Sequence, residues 1–405
     1  MRDVRMVLAA AWAVALLAGC ANPVREPGVP RELTTKAVPM GMPANIRYWV
    51  AIDPQAMLRD GIAGFERERA LLRQAGRATA IPPAHLLSIS GGGDNGAFGA
   101  GLLVGWTAAG TRPEFKIVTG VSTGALTAPF AFLGPDYDDE LKTVYTSIKA
   151  ADVFEPRGLL AALTDDAMAD TRPLWGLVGR FANEDMLRRI GEEYRKGRFL
   201  LIGTTNLDAR QPVIWNIGEI AISGHPQATE LFRKILIASA AIPGAFPPVM
   251  IDVEVDGKRY QEMHVDGGAM AQVFLYPPSF NVQDVSRAQG VERQRHAFII
   301  RNARLDPDWA SVERNTLSIV GRAITSLIHT QGIGDLYRIY LVAQKDGVDY
   351  NLAFIGPDFD VEYKEQFDPV YMRSLFDHGY RLARPGYPWQ KVPPGLTAPP
   401  RQAAR

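Results

Sequence analysis

Three short segments of this sequence combine residue types and spacings that suit catalysis, and the first surrounds a serine. Residues 120–124 read Gly-Val-Ser-Thr-Gly, a Gly-x-Ser-x-Gly pentapeptide between an apolar run and a stretch of small residues. The pattern is typical of a serine on a sharp strand-to-helix turn, which lifts the hydroxyl above the sheet edge, and flanking glycines relieve the crowding of that turn. We therefore predict that Ser122 is a nucleophile.

A serine hydroxyl needs a proton acceptor before it can attack, and Asp266 is the candidate. It stands in Val265-Asp266-Gly267-Gly268, where a predicted strand ends in a glycine loop. A carboxylate there would reach the carboxyl edge of the sheet, although an aspartate can also simply cap a turn.

A histidine base stays open as an alternative. His264 shares a strand face with Asp266 and could be mistaken for the base. A Ser-His-Asp arrangement would instead use a histidine that follows Asp266 in chain order, and the candidates are His296, His329 and His378.

The third segment is a glycine loop at residues 91–99, Gly-Gly-Gly-Asp-Asn-Gly-Ala-Phe-Gly. It fits the dinucleotide pattern Gly-x-Gly-x-x-Gly, but the next strand lacks the terminal acidic residue that would hold a ribose, and no P-loop lysine follows. Free backbone N–H groups at a helix N-terminus favour negative charge. We therefore predict an oxyanion hole formed by Gly91, Gly92 and Gly93, since a plain tight turn needs fewer glycines.

The elements that must position these motifs alternate between strand and helix. A strand, a glycine loop, a helix, a second strand and a sharp turn into another helix indicate a mostly parallel sheet with helices on its faces. The predicted strands are 85–90, 115–121, 199–204, 213–217, 259–265 and 296–301, and the predicted helices are 53–76, 97–109, 123–133, 228–240 and 312–342. The irregular pattern between about 152 and 193 predicts a lid over the site.

The N-terminal segment predicts export and lipid attachment. Two arginines precede an apolar run from Met6 to Leu17, and Leu-Ala-Gly-Cys follows, ending at Cys20, the one cysteine of the chain. The run is too short to span a bilayer, and the segment resembles a bacterial lipoprotein signal with its lipobox. We expect lipidated Cys20 to anchor the protein to the cell envelope, at the outer membrane since Ala21 follows; a buried thiol is the alternative interpretation.

Composition excludes several other classes of protein. The 405 residues are 47% hydrophobic and 22% charged, as in an ordinary globular protein. Lysine plus arginine and aspartate plus glutamate both count 44, so no surface for nucleic acid is implied. One cysteine and 6 histidines leave no zinc-type cluster, and we expect no metal and no cofactor.

The three motifs in this order resemble the patatin-like phospholipase family. The segment 238–248, Ala-Ser-Ala-Ala-Ile-Pro-Gly-Ala-Phe-Pro-Pro, resembles the block that precedes the family's aspartate, so the likeness spans about residues 85–275. It implies an α/β fold, a three-layer α/β/α sandwich with a mostly parallel central sheet. It also implies a Ser–Asp dyad without histidine, with Ser122 as nucleophile, Asp266 as base and the glycine loop as oxyanion hole.

This resemblance sets the expected domains and function. We expect a signal peptide at 1–19, a linker and helical extension at 20–84, an acyl hydrolase domain at 85–384 and a Pro/Gly-rich tail at 385–405. The implied activity is hydrolysis of carboxylic esters in membrane lipids through an acyl-enzyme, with lipids as substrates and no protein partner implied. One departure is Asn95, which stands where the family has arginine or lysine, so a weak or inactive lipid-binding envelope lipoprotein is the alternative.

Overall fold

The computed structural model describes residues 25–39, 41–77, 81–158, 166–306 and 309–396. The predicted signal peptide, Cys20 and the end of the predicted tail lie outside these residues. No helix within the described ranges is both long and apolar enough to cross a bilayer.

A ten-stranded sheet forms the centre of the molecule. Five neighbouring strands run parallel, in the order β7 (Phe199–Asn206), β4 (Ile117–Gly120), β3 (Ala84–Ile89), β11 (Arg295–Arg304) and β12 (Asp349–Ile355), and antiparallel strands extend the sheet beyond β7. A separate two-stranded sheet pairs β5 with β6. The strands are β1 (Val38–Pro39), β2 (Arg47–Tyr48), β3 (Ala84–Ile89), β4 (Ile117–Gly120), β5 (Glu155–Pro156), β6 (Ala169–Asp170), β7 (Phe199–Asn206), β8 (Gln211–Asn216), β9 (Val249–Val255), β10 (Lys258–Asp266), β11 (Arg295–Arg304) and β12 (Asp349–Ile355).

Helices cover both faces of the sheet. One face carries the larger apolar core, where helix α2 (Gly96–Ala108), which is rich in small residues, lies between the sheet and α11 (Pro369–Ala383). The C-terminal half of α10 (Thr316–Lys345) packs on the other face, over β11 and β12. The helices are α1 (Pro54–Gln74), α2 (Gly96–Ala108), α3 (Thr123–Leu133), α4 (Asp138–Ser147), α5 (Arg172–Phe181), α6 (Glu184–Arg195), α7 (Ile217–Ile222), α8 (Ala228–Ala240), α9 (Val282–Ala288), α10 (Thr316–Lys345) and α11 (Pro369–Ala383).

Small residues explain how α2 fits its place. A Cβ at Gly101 would lie 1.9 Å from the carbonyl oxygen of Phe376, and one at Gly105 would lie 2.5 Å from that of Tyr380. Both carbonyls belong to α11, so α2 approaches that helix backbone to backbone. This contact places α2, and the glycine loop before it, firmly against the body of the domain.

Strands β4 and β10 meet head to head on one edge of β7. β4 pairs in parallel with Phe199–Ile202 of β7, and β10 pairs antiparallel with Thr204–Asn206, while β8 occupies the other edge. β4 and β10 therefore run toward each other and stop on either side of Gly203. The predicted nucleophile follows the end of β4, and the predicted base is the last residue of β10.

The predicted fold class is confirmed: helices flank a central sheet whose core is parallel. The antiparallel extension was not predicted, because it depends on pairings between distant segments. The segment expected as a linker also carries structure, since β1 pairs with β9 and β2 pairs with β8. A buried ion pair between Arg47 and Glu262, with a 2.5 Å contact, attaches this segment to β10.

Candidate active site

Ser122 occupies a strained turn between β4 and α3. Its backbone angles are φ 55° and ψ −129°, in a region that non-glycine residues rarely adopt and that costs about 1–3 kcal/mol. A Cβ at Gly120 would lie 2.4 Å from the Gly124 carbonyl oxygen, and one at Gly124 would lie 2.2 Å from that of Ile89. Gly120 therefore lets the end of β4 approach the start of α3, and Gly124 lets α3 approach the end of β3.

Asp266 is a buried carboxylate at the end of β10. Its side chain is 5% exposed, and its Oδ1 accepts the Gly268 N–H at 2.7 Å. Burial raises the pKa of Asp266 to about 6, while the neighbouring Ser122 hydroxyl and the Gly268 N–H oppose the rise. The structure thus brings Ser122 and Asp266 together, with the carboxyl group a stronger base than an exposed aspartate.

The end of α8 connects the two residues. Ser239 accepts the backbone N–H of Ser122 through its Oγ at 3.0 Å and donates its own hydroxyl to the Gly203 carbonyl at 2.7 Å. Two residues later, the Ala241 carbonyl accepts the Asp266 N–H at 2.9 Å. One short segment therefore fixes the backbone at both residues.

The glycine loop lies directly beside Ser122, but its three glycines are not equivalent. The Gly91 N–H donates to the Gln272 carbonyl at 3.1 Å, so of the three glycines predicted to form the oxyanion hole, Gly91 already has an acceptor. Gly92 and Gly93 have φ of 157° and 60°, and their N–H groups have no acceptor among the described residues. A Cβ at Gly92 would lie 2.1 Å from the Asn302 carbonyl oxygen, which reserves this place for glycine.

The next two residues of the loop have structural partners. Asp94 accepts the N–H of Phe367 at 2.9 Å, and Asn95 accepts the hydroxyl of Tyr371 at 2.8 Å. The position where the resemblance would put a cation therefore holds a neutral side chain that is bonded to α11.

Of the four histidines weighed as possible bases, one lines the cavity and three do not. His264 is fully buried between Thr204 (2.9 Å) and Glu262 (3.0 Å), and burial lowers its pKa. His296 lies at the start of β11, at the end of the parallel strands that is far from Ser122, and contacts Asp349 there. His378 lies on α11, outside the cavity. His329 lines the cavity, yet no hydrogen bond joins it to Ser122 or Asp266 in the described chain.

A cavity of about 560 Å³ opens above Ser122 and Asp266. Its walls include α5, part of the segment expected as a lid; that segment is more regular than expected, because α5 and α6 lie within it. Much of the wall is apolar, with contributions from Leu126, Ile148, Leu174, Leu177, Phe181 and Phe246. Such a wall suits an acyl chain beside a polar reacting group.

Three residues around the site were not found from the sequence. Ser239 lies in the 238–248 segment that carries the resemblance, but the sequence does not show that its hydroxyl holds the Ser122 backbone. Gln272 has no motif, although it binds both the Gly91 N–H and the Gly268 carbonyl. Arg301 is the one arginine of the predicted strand 296–301 and follows an apolar run, which was a usable signal. Among the described residues, no group of three or more His, Cys, Asp or Glu side chains could hold a metal ion.

Comparison with known proteins gives one family and a distant structural neighbour. Residues 87–277 match the patatin-like phospholipase family. Among solved structures, VipD from Legionella pneumophila matches with 14% sequence identity and a TM-score of 0.34. The match covers 75% of this chain and 66% of the VipD chain, so this chain spans just under two thirds of that length. No curated protein matches the sequence significantly.

Proposed function

Residues 87–277 of this chain form a patatin-like phospholipase domain, and from this premise we propose that the protein is a lipid acyl hydrolase. It cleaves carboxylic esters of membrane lipids, with Ser122 as nucleophile and Asp266 as base. The observation that carries the proposal is the meeting of β4 and β10 on β7, which brings a strained serine and a buried carboxylate to one cavity.

The first half of the reaction forms an acyl-enzyme. Asp266 takes the hydroxyl proton of Ser122 while the oxygen attacks the ester carbonyl, and the resulting oxyanion lies against the N–H groups of Gly92 and Gly93. As the tetrahedral intermediate collapses, the ester bond breaks and the departing alkoxide takes the proton from Asp266. The acyl group then remains on Ser122.

The second half releases the fatty acid. Asp266 takes a proton from water, the hydroxide attacks the acyl carbonyl, and the Ser122 oxygen leaves with the proton that Asp266 returns. An aspartate near its ordinary pKa of about 4 is a weak base for an alcohol. A pKa of about 6 narrows that mismatch, and preorganised N–H donors account for much of the remaining rate.

A second function deserves the same test because of Asn95. Without a cation in the glycine loop, the domain could bind lipid and turn it over slowly or not at all. In that case the protein would be an envelope lipid-binding lipoprotein. The hydrogen bond from Tyr371 to Asn95 gives that asparagine a structural role without giving the loop a charge.

The location of the activity is also a proposal. The lipobox ending at Cys20 supports a lipid-anchored enzyme at the cell envelope, with the outer membrane favoured by Ala21. Several acyl chains on one residue give stable anchoring where a single chain does not.

Hydrolysis of a lipid ester panel tests the proposed function. Full-length protein in nonionic detergent is expected to release fatty acid from phospholipid and diacylglycerol, and Ser122→Ala to lose this activity by several orders of magnitude. Ser374→Ala is the matched control, because the Ser374 hydroxyl bonds only a carbonyl of its own helix. Lipid binding without turnover by the wild-type protein would instead favour the second function.

A further inference from the structure

The guanidinium of Arg301 lies buried in the wall of the cavity, and no ion pair joins it to a carboxylate of the described residues. Arg301 is 2% exposed, and its Nε and Nη1 atoms have no hydrogen-bond partner among the described residues. It lines the same cavity as Ser122 and Asp266. Burying an unpaired charge is costly, so such a group calls for a partner that the protein chain does not supply.

The structure reserves space for this side chain. A Cβ at Gly332 of α10 would lie 2.3 Å from Nη2 of Arg301 and 2.5 Å from its Cζ. The helix therefore passes directly over the guanidinium, and a larger residue at 332 would displace it.

The carboxylate whose charge acts on Arg301 is that of Asp335, and its hydrogen bonds and ion pair are with other groups. Asp335 accepts the Gln272 N–H at 2.6 Å through Oδ2, and its Oδ1 lies 3.0 Å from Nη1 of Arg338. No contact within 4.0 Å pairs it with Arg301 in the described chain. Burial lowers the pKa of Arg301 to about 10, with the charge of Asp335 opposing this, so the guanidinium stays charged at neutral pH.

The other arginine in the cavity wall has acceptors. Arg304 donates to the Phe359 carbonyl at 2.8 Å and to Asp306 at 2.9 Å. Arg304 is therefore already hydrogen-bonded, and Asn95 is neutral. Among the described residues that line the cavity, Arg301 is thus the arginine whose charge is left to bind a ligand.

Its place in the sheet suits a lipid whose ester lies at Ser122. β11, which carries Arg301, is next to β3, and β3 is next to β4, which leads to Ser122. Two strand spacings amount to about 10 Å, and the phosphate of a glycerophospholipid is only a few bonds from either ester carbonyl. A guanidinium fork matches two phosphate oxygens and is the preferred phosphate ligand at buried sites.

We propose that Arg301 forms an anion subsite that binds the phosphate of a glycerophospholipid while Ser122 attacks one of its esters. This proposal rests on the proposed function and adds its specificity determinant. A neutral diacylglycerol would leave the guanidinium unpartnered, so the enzyme prefers phospholipid over a neutral lipid with the same acyl chains.

A selectivity ratio tests the subsite in the full-length protein. The kcat/KM for a phospholipid is divided by that for diacylglycerol with identical chains, both in nonionic micelles. Because a hydrogen bond to a charged group stabilises the bound phospholipid, Arg301→Met should lower this ratio about 10- to 100-fold. Arg301→Lys keeps a positive charge and should have a higher ratio than Arg301→Met. The control Arg287→Met, at an exposed residue whose partner is Asp284, should not change the ratio. An unchanged ratio in folded Arg301→Met protein would overturn the proposal, as would an equal loss on both substrates.

A binding measurement keeps the two proposals separate. Hexyl phosphate is titrated calorimetrically into full-length Ser122→Ala protein, which needs no turnover, and hexanoate and hexanol serve as comparisons. We expect hexyl phosphate to bind at least tenfold more tightly than either, and Arg301→Met to remove that preference. Equal binding of hexanoate would reassign the subsite to a fatty acid carboxylate and overturn the phosphate assignment. Absence of ester hydrolysis in wild-type protein would refute the proposed function while this titration still decides on Arg301.

Discussion

At the scale of the residue, the site depends on two unfavourable local states. Ser122 has a strained backbone, and Asp266 is a carboxylate taken out of water. Both residues were singled out from the sequence, because Gly-x-Ser-x-Gly and Asp-Gly-Gly are local patterns. The sequence did not reveal that the Gly91 N–H is occupied or that Ser239 holds the Ser122 backbone, since both contacts join segments far apart in the chain.

The choice between dyad and triad is a prediction at this scale. Asp266→Asn should lower ester hydrolysis by several orders of magnitude, because a neutral amide cannot accept the Ser122 proton. Alanine substitutions at His264, His296, His329 and His378 should each leave most of the activity in folded protein. His329→Ala is the decisive one, since His329 reaches the cavity. A collapse there comparable to that of Asp266→Asn would replace the dyad with a triad.

The burial of Asp266 also predicts a pH-dependent stability. Its pKa rises from 3.8 to about 6 on folding, so the folded state holds the proton more tightly. Below about pH 4 the carboxyl group is protonated in both states and does not change the unfolding free energy. As the pH rises, its ionisation destabilises the folded state, and the loss of unfolding free energy reaches about 3 kcal/mol above pH 6. Asp266→Asn should therefore be more stable than wild type at pH 8, with the difference fading by pH 4.

Urea unfolding at the two pH values measures this effect. Asp360→Asn, at an exposed position, is the control and should show little difference at either pH. If Asp266→Asn were less stable than wild type at pH 8, burial of the Asp266 carboxylate would not destabilise the folded protein, and the prediction would be wrong.

At the scale of the element, the sequence predicted what local patterns encode. Helices α3 and α8 have the predicted bounds, 123–133 and 228–240, because both are apolar runs with clear ends. The meeting of β4 and β10 on one edge of β7 was not predicted, since strand order depends on contacts between distant segments. β9 and β12 were not predicted either.

The packing of α3 against β3 gives a prediction for this scale. Gly124→Ala would place a Cβ 2.2 Å from the Ile89 carbonyl oxygen, forcing helix and strand apart. We expect a loss of at least about 2 kcal/mol of unfolding free energy in urea. Gly176→Ala in α5, where a Cβ would meet nothing within 4 Å, is the matched control and should gain up to about 1 kcal/mol. Equal effects of the two would show that α3 does not need the close approach.

At the scale of the whole molecule, the chain extends well beyond the segment that matches the family. The family match ends at residue 277, yet β11, β12 and α11 complete the sheet and cover α2. The proline-rich segment before β2 suggested a plain linker, but three of its apolar residues, Ala37, Met42 and Ile46, are buried in the core. Sequence composition alone does not distinguish a segment that packs on the domain from a flexible linker.

The proposed anchor is tested on the whole protein in cells. Cys20→Ser should abolish incorporation of a labelled fatty acid and move the protein out of the membrane fraction, because the acyl chains supply the membrane affinity. Ala21→Ser changes the neighbouring residue and should leave labelling intact. Continued fatty acid labelling of Cys20→Ser protein would contradict anchoring at this cysteine.

Peptide mapping of a fluorophosphonate adduct by mass spectrometry tests the central claim most directly. The full-length wild-type protein should carry one adduct, on the peptide that contains Ser122. The reaction should be absent in Ser122→Ala and slower by orders of magnitude in Asp266→Asn, since the same proton transfer activates the serine toward probe and lipid. An adduct on another serine, or undiminished labelling of folded Ser122→Ala protein, would contradict the assignment of Ser122 as the nucleophile.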